Sequence, residues 1–167
     1  MAKVILVCGV PGVGKSTLAE EIAKSLGLPL FSKDKLEASL VENGLVRTEQ
    51  LNGVGYTLLK NLVNEHLSRQ QPIIIDFIAD KNRVLDLWPE LLTKDLVAIE
   101  CICTDKVVHK SRIESRQRNI PGWYELNWAE IEDITAKYSP LVSDRLILDT
   151  TNADSSILTR ALKYVSN

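Results

Sequence analysis

The chain has 167 residues, 45% of them hydrophobic and 25% charged, and carries a formal net charge of −2. That length suits one domain around one core. The slightly acidic balance speaks against a surface built to hold long nucleic acid, and no apolar run approaches the ~20 residues of a membrane span. The apolar run after Lys3 is too short for a signal peptide. Cys8, Cys101 and Cys103 lie in apolar strand-like runs without metal-ligand spacing, as expected of reduced thiols in a cytoplasmic protein.

Residues 3–8 read as a strand. Behind them comes Gly9-Val10-Pro11-Gly12-Val13-Gly14-Lys15-Ser16, followed by Thr17. Its two framing glycines, with Lys and Ser at the end, fit the phosphate-binding P-loop. Glycines let the backbone curl so that successive N–H groups face a phosphate chain, Lys15 supplies a mobile charge, and the Ser16 hydroxyl is placed for Mg²⁺. Helical spacing over 16–26 completes strand, loop and helix, with a positive helix end at the phosphates. This run predicts binding of a nucleoside triphosphate.

Further along, Leu30-Phe31 reads as a second strand, 35–42 as a helix, and 48–69 as a long helix weakened by Gly53 and Gly55. Ile73-Ile74-Ile75-Asp76 reads as a central strand buried on both faces. Asp80 is placed to cap a helix to Leu87, and Trp88-Pro89 opens a turn. A strand over 96–103, a basic helix over 105–118, a helix in the second part of 123–138, a strand over 145–148 and a helix capped by Asp154 complete the chain. The alternation predicts a three-layer α/β/α sandwich with a parallel sheet of about five strands.

Parallel strands end on one edge, where ligands of open α/β folds bind. The P-loop, Asp34, Asp76, Thr104-Asp105 and Asp149-Thr150 should therefore converge. Asp76 is expected to hold Mg²⁺, unless it merely closes its strand. Asp34 has two readings: a carboxylate that takes the acceptor's proton, or a capping box with Glu37. Arg112 and Arg116, four apart, are expected to share a helix face and reach a transferring phosphate, against a solvated helix in which Glu114 pairs Arg118. His66 and His109 read as ordinary histidines. Trp123 is the tryptophan expected to line an acceptor pocket, with Arg47 and Tyr56 as weaker candidates.

The Pro-Gly-x-Gly-Lys-Ser-Thr core, the Asp34 segment, the stretch 56–76 and the stretch 112–122 together resemble the small P-loop kinases, nearest to those of the AAA_33 type. That group is similar to the 5′-hydroxyl kinase domain of polynucleotide kinase, the chloramphenicol phosphotransferases and the zeta toxins. The likeness runs through residues 3–150 and implies a nucleoside-kinase-like fold with a small helical lid over about 105–122. It implies that Gly9, Pro11, Gly12, Val13, Gly14, Lys15, Ser16 and Thr17 hold ATP, with Ser16 and Asp76 at Mg²⁺. It further implies Asp34 as base, Arg112 and Arg116 as lid arginines, and the stretch 150–152, with Thr151, at the adenine. The chain is too short for the helical lid domain of an AAA+ motor. Lys35-Leu36 after Asp34 and Phe77-Ile78-Ala79 after Asp76 depart from the polynucleotide kinase pattern, which bears on the acceptor. The expected activity is transfer of the γ-phosphoryl group to a hydroxyl of a small molecule. Its rivals are an oligonucleotide 5′-hydroxyl kinase and a nucleotide-binding switch that transfers nothing.

Overall fold

The computed structural model describes residues 3–117, 120–152 and 154–166. Its centre is the apolar run before the glycine loop. β1 (Val4–Cys8) is buried at all five positions. It pairs in parallel with β3 (Ile73–Asp76) on one side and β4 (Leu96–Ile102) on the other. β2 (Leu30–Ser32) and β5 (Leu146–Asp149) close the edges, giving the order β2-β3-β1-β4-β5. A strand covered on both faces must be apolar at every position, hence Val-Ile-Leu-Val-Cys and Ile-Ile-Ile.

Side chains alternate across the sheet and separate two cores. Val4, Leu6, Ile73 and Ile75 face Tyr56, Leu59 and Val63 of α3 (Val54–Ser68), with Trp88 and Leu91 beyond. Ile5, Val7 and Ile74 face Leu18, Ala19 and Ile22 of α1 (Lys15–Leu26) and Ala161 and Val165 of α7 (Ser155–Ser166). Each fully buried Ile, Leu or Val contributes about 1.5–3 kcal/mol. The strand ends are thereby held firmly enough to carry unsatisfied polar groups at the edge.

Several boundaries differ from the sequence reading. The helix expected over 35–42 is α2 (Lys33–Glu42), so Asp34 stands inside the first turn and Ser32 takes the N-cap position. The long helix expected from Thr48 begins only at Val54. Gly53 precedes it with φ 84°, a left-handed conformation that ends the preceding turn, and Thr48–Gln50 forms a separate 3₁₀ turn. α4 (Lys81–Leu87) is capped by Asp80, whose Oδ1 accepts the Arg83 N–H at 3.1 Å, and a 3₁₀ turn Pro89–Thr93 follows. The basic helix is α5 (Lys106–Glu114) and is shorter than expected, while α6 (Trp128–Lys137) carries a reciprocal cap between Asn127 and Glu130. Asp154 caps α7 as read, accepting the Ser156 N–H at 3.0 Å. Arg118, and with it the Glu114–Arg118 pair, lies outside the described residues. Glu114 lies 3.7 Å from Lys110 instead. No described helix is long and apolar enough to cross a membrane.

Candidate active site at the carboxyl edge of the sheet

The loop after β1 is fixed from three directions. The Gly9 N–H donates to the Ile78 carbonyl at 3.3 Å. The Pro11 carbonyl accepts from His109 Nε2 at 2.8 Å, and the Val13 carbonyl accepts from the Thr150 hydroxyl at 2.5 Å. Gly12 and Gly14 adopt φ 85° and 83°, which a residue with a Cβ reaches only under strain. Gly14 is the N-cap of α1 and no side chain caps it, so the first N–H groups of the helix stay available to an anion.

Lys15 opens α1 and is only 6% exposed. Among the described residues its ammonium has no hydrogen-bond or ion-pair partner. Ser16 is half-buried beside it and Thr17 is exposed.

A cleft of 680 Å³ opens from the loop toward α5 and α7. Gly12, Lys15, Ser16, Arg112, Arg116 and Thr150 line it, with Ile157 and Leu158 as an apolar wall. The Arg112 guanidinium donates to the Thr150 carbonyl at 2.7 Å and the Thr151 carbonyl at 3.1 Å. Arg116 stands beyond the end of α5, past Ser115 at its C-cap, so the two arginines meet in the cleft wall without sharing a helix face. Thr150, and not Thr151, lines the cleft. The Thr151 hydroxyl is bound to Asp149 Oδ1 at 2.6 Å and accepts the Thr104 N–H at 3.0 Å. Hydroxyls of Thr104 and Thr151 hold the Asp149 carboxyl down at about 2.

α5, the first part of the expected lid, is docked on the loop. Ile113 and His109 occupy the space where a Cβ at Gly12 would sit, and the His109 ring meets Trp128 edge-on, centroids 5.2 Å apart.

On the other side of the loop stands Asp76, 2% exposed, in register with Val7 of β1 and Ser32 of β2. Its Oδ1 is buried and accepts no hydrogen bond among the described residues. The fields of Lys15 and Asp76 both reach the Cys101 thiol, which burial pushes up to about 12. Cys8 is pushed equally high by burial, so neither thiol is poised to react.

Asp34 does not cap its helix, and Glu37 is engaged elsewhere. Buried at 4% exposure, Glu37 accepts from Lys33 Nζ at 2.7 Å and from the Gly55 N–H at 3.2 Å. The capping box is therefore corrected to a buried link between α2 and α3. Asp34 lies 3.9 Å from Lys33 Nζ and is half-buried. Lys33 Nζ lies over the Tyr56 ring, 5.5 Å from its centroid, and burial raises the Tyr56 hydroxyl to about 12. Gly122 reaches this side, its carbonyl accepting from the Thr48 hydroxyl at 2.8 Å. Trp123 stacks on Tyr124 next to it. Asp34 and Asp76 are not among the residues lining the cleft, which therefore serves one side of the loop only.

Four features escaped the sequence reading: the His109 and Thr150 bonds to the loop, the Lys33–Glu37–Gly55 link and the pinning of Arg112. Each joins segments with no motif between them. The only local hint was Gly55, a glycine inside an otherwise helical pattern.

The family model described as "AAA domain" matches residues 4–141. The chain therefore belongs to that family. No curated protein sequence matches it. Among solved structures, a sugar kinase from Janibacter sp. HTCC2649 is 19% identical, with a TM-score of 0.72 over 99% of this chain and 95% of that one. A proposed kinase from Chloroflexus aurantiacus is 25% identical, with a TM-score of 0.75 over 99% and 96%. A gluconokinase from Sinorhizobium meliloti is 16% identical, with a TM-score of 0.64 over 99% and 91%. The parallel five-stranded α/β architecture is thus that of small P-loop kinases.

Proposed function

We propose that this AAA-domain protein is a phosphotransferase that moves the γ-phosphoryl group of ATP to a hydroxyl of a small molecule. The observation that carries the reading is the pair Lys15 and Asp76. Lys15 buries its stem and brings an ammonium without a partner among the described residues to the cleft, while the Asp76 Oδ1 is buried without one, which costs several kcal/mol in a protein that never binds its complement. Phosphate oxygens complement the first and a hydrated cation the second.

Among the described residues no group of three His, Cys, Asp or Glu side chains could hold a metal alone. That fits Mg²⁺, which takes one or two protein ligands and shares the rest with phosphates and water. Ser16 and Asp76 would hold it, and when bound it neutralises charge on the β- and γ-phosphates. The loop amides and Lys15 orient the triphosphate, and the cleft beside Ile157 and Leu158 receives the base. Asp34 takes the acceptor's proton as its oxygen bonds to the γ-phosphorus. The bond to the bridging oxygen breaks and ADP leaves. Arg116 meets the charge that builds on the transferring group, while Arg112 fixes the floor at Thr150.

The sugar kinase and gluconokinase neighbours support a small hydroxylated acceptor. The buried thiols and the use of ATP suit the cytoplasm. Transfer from γ-labelled ATP to a panel of sugars, sugar acids, nucleosides and short RNA tests the proposal. We expect Mg²⁺-dependent labelling of a small hydroxyl compound. Labelling of RNA 5′ ends alone would replace the acceptor class, and slow hydrolysis with no labelled acceptor would favour a switch protein.

A further inference from the structure

We infer that His109 and Thr150 are positioning residues that aim two amides of the P-loop, resting on the nucleotide-binding reading above. A planar trans peptide points its C=O and the following N–H in opposite directions, and the described chain has no cis peptide bond. His109 Nε2 binds the Pro11 carbonyl at 2.8 Å, so within that peptide the Gly12 N–H must face away from α5. The Thr150 hydroxyl binds the Val13 carbonyl at 2.5 Å, so the Gly14 N–H must face away from the end of β5. Both glycines line the cleft.

Without these two bonds little would hold either orientation. Gly12 and Gly14 lack a Cβ to restrict the backbone, and a peptide flanked by glycine flips readily. Each clamp is itself held. The His109 ring is 6% exposed, wedged between Gly12 and Trp128. Because a carbonyl only accepts, Nε2 must carry a hydrogen, which sets its role at that atom. The Thr150 N–H donates to the Ile102 carbonyl at 2.9 Å, and Arg112 grips the Thr150 carbonyl. The helix after β4 and the end of β5 thus serve as two struts that keep the phosphate cradle formed before the nucleotide arrives. Pre-formed donors need no reorganisation on binding.

The test is titration of the full chain with a non-hydrolysable ATP analogue and Mg²⁺, following the Gly12 and Gly14 amide resonances. Wild type must bind, or the nucleotide reading falls and this inference with it. His109→Phe keeps an aromatic ring against Trp128 and loses the donor. It should weaken binding about three- to tenfold, the worth of one net hydrogen bond, and reduce the ligand-induced shift at Gly12 while sparing Gly14. Thr150→Val should do the reverse. His109→Gln and Thr150→Ser, which restore a donor, should recover most of the affinity. Wild-type affinity and unchanged glycine shifts in both donor-less variants would overturn the inference while leaving the nucleotide reading intact. If His109→Phe does not fold, Thr150→Val decides the question on its own peptide.

Discussion

The two sides of the P-loop are built by different means. On the side of α5 and α7, an open cleft meets backbone amides, and the residues around it come from the glycine loop, the start of α1, Arg112 and Arg116, Thr150 at the end of β5 and the first turn of α7. On the side of α2 and α3, side chains are packed into buried pairs: Lys33 with Glu37, Glu37 with the Gly55 N–H, Lys33 over Tyr56. Backbone amides recognise any phosphate chain and can be supplied by one local motif. An acceptor must be selected by shape and polarity, and the residues for that come from distant segments. In the proposed function the first side is the donor side and the second the acceptor side.

The sharpest way to break this division is Lys15→Met, which keeps the buried stem and removes the charge. Transfer should fall by orders of magnitude, with nucleotide binding weakened as well. Unchanged turnover would remove the donor side from the mechanism. The acceptor side is tested by Asp34→Asn, expected to lower transfer about 10²–10⁴-fold while the nucleotide dissociation constant stays near that of wild type. Asp76→Asn should instead raise the Mg²⁺ concentration needed for half-maximal rate. If Asp34→Asn shifts only thermal stability, the carboxylate serves its helix, and the acceptor side needs another base.

The same division explains what could be read in the sequence. Strand, glycine loop and helix are consecutive, so Gly9 to Thr17 needed no knowledge of the rest of the chain, and Ile-Ile-Ile-Asp announced a buried strand ending at the edge. The Pro11 carbonyl bonds a residue 98 positions away and the Val13 carbonyl one 137 away. No spacing rule connects them, so an isolated histidine read as ordinary. Asp34 read as a base or as a cap, the second because acids favour helix starts, but the helix begins two residues earlier than expected, Ser32 takes the cap position, and Glu37 is drawn to Gly55 by packing between α2 and α3. Periodicity likewise extended α3 back to Thr48, where the left-handed Gly53 overrides it.

A smaller effect should separate the two sides by stability and affinity together. At Gly55 an added Cβ would lie 2.7 Å from Lys33 Cγ and press on the Glu37 carboxylate. The backbone there needs no left-handed conformation, so Gly55→Ala tests contact alone. α2 and α3 must separate, at a cost of about 1–3 kcal/mol. The acceptor KM should rise and the nucleotide dissociation constant should not. A rise in both would show that the two sides share one mechanical unit across β3.

The smallest effect is expected at the donor-side end of β5. Asp149 accepts the Thr104 hydroxyl at 2.5 Å, the Thr151 hydroxyl at 2.6 Å and the Thr151 N–H at 2.9 Å. Bonds to the charged form favour it, which brings the carboxyl from 3.8 to about 2 in the folded chain. A value depressed by folding contributes stability above the unfolded value of 3.8, and that contribution is lost as pH falls from there toward 2. The carboxylate faces solvent, so water and salt screen the effect and it should be small. In low salt, wild type should melt higher than Asp149→Asn near neutral pH, with the two melting curves converging as pH approaches about 2. Such convergence would mean that the threonine–carboxylate network braces the segment from which Thr150 reaches the loop. A constant gap at every pH would assign the difference to packing and leave Arg112 as the brace of the donor side.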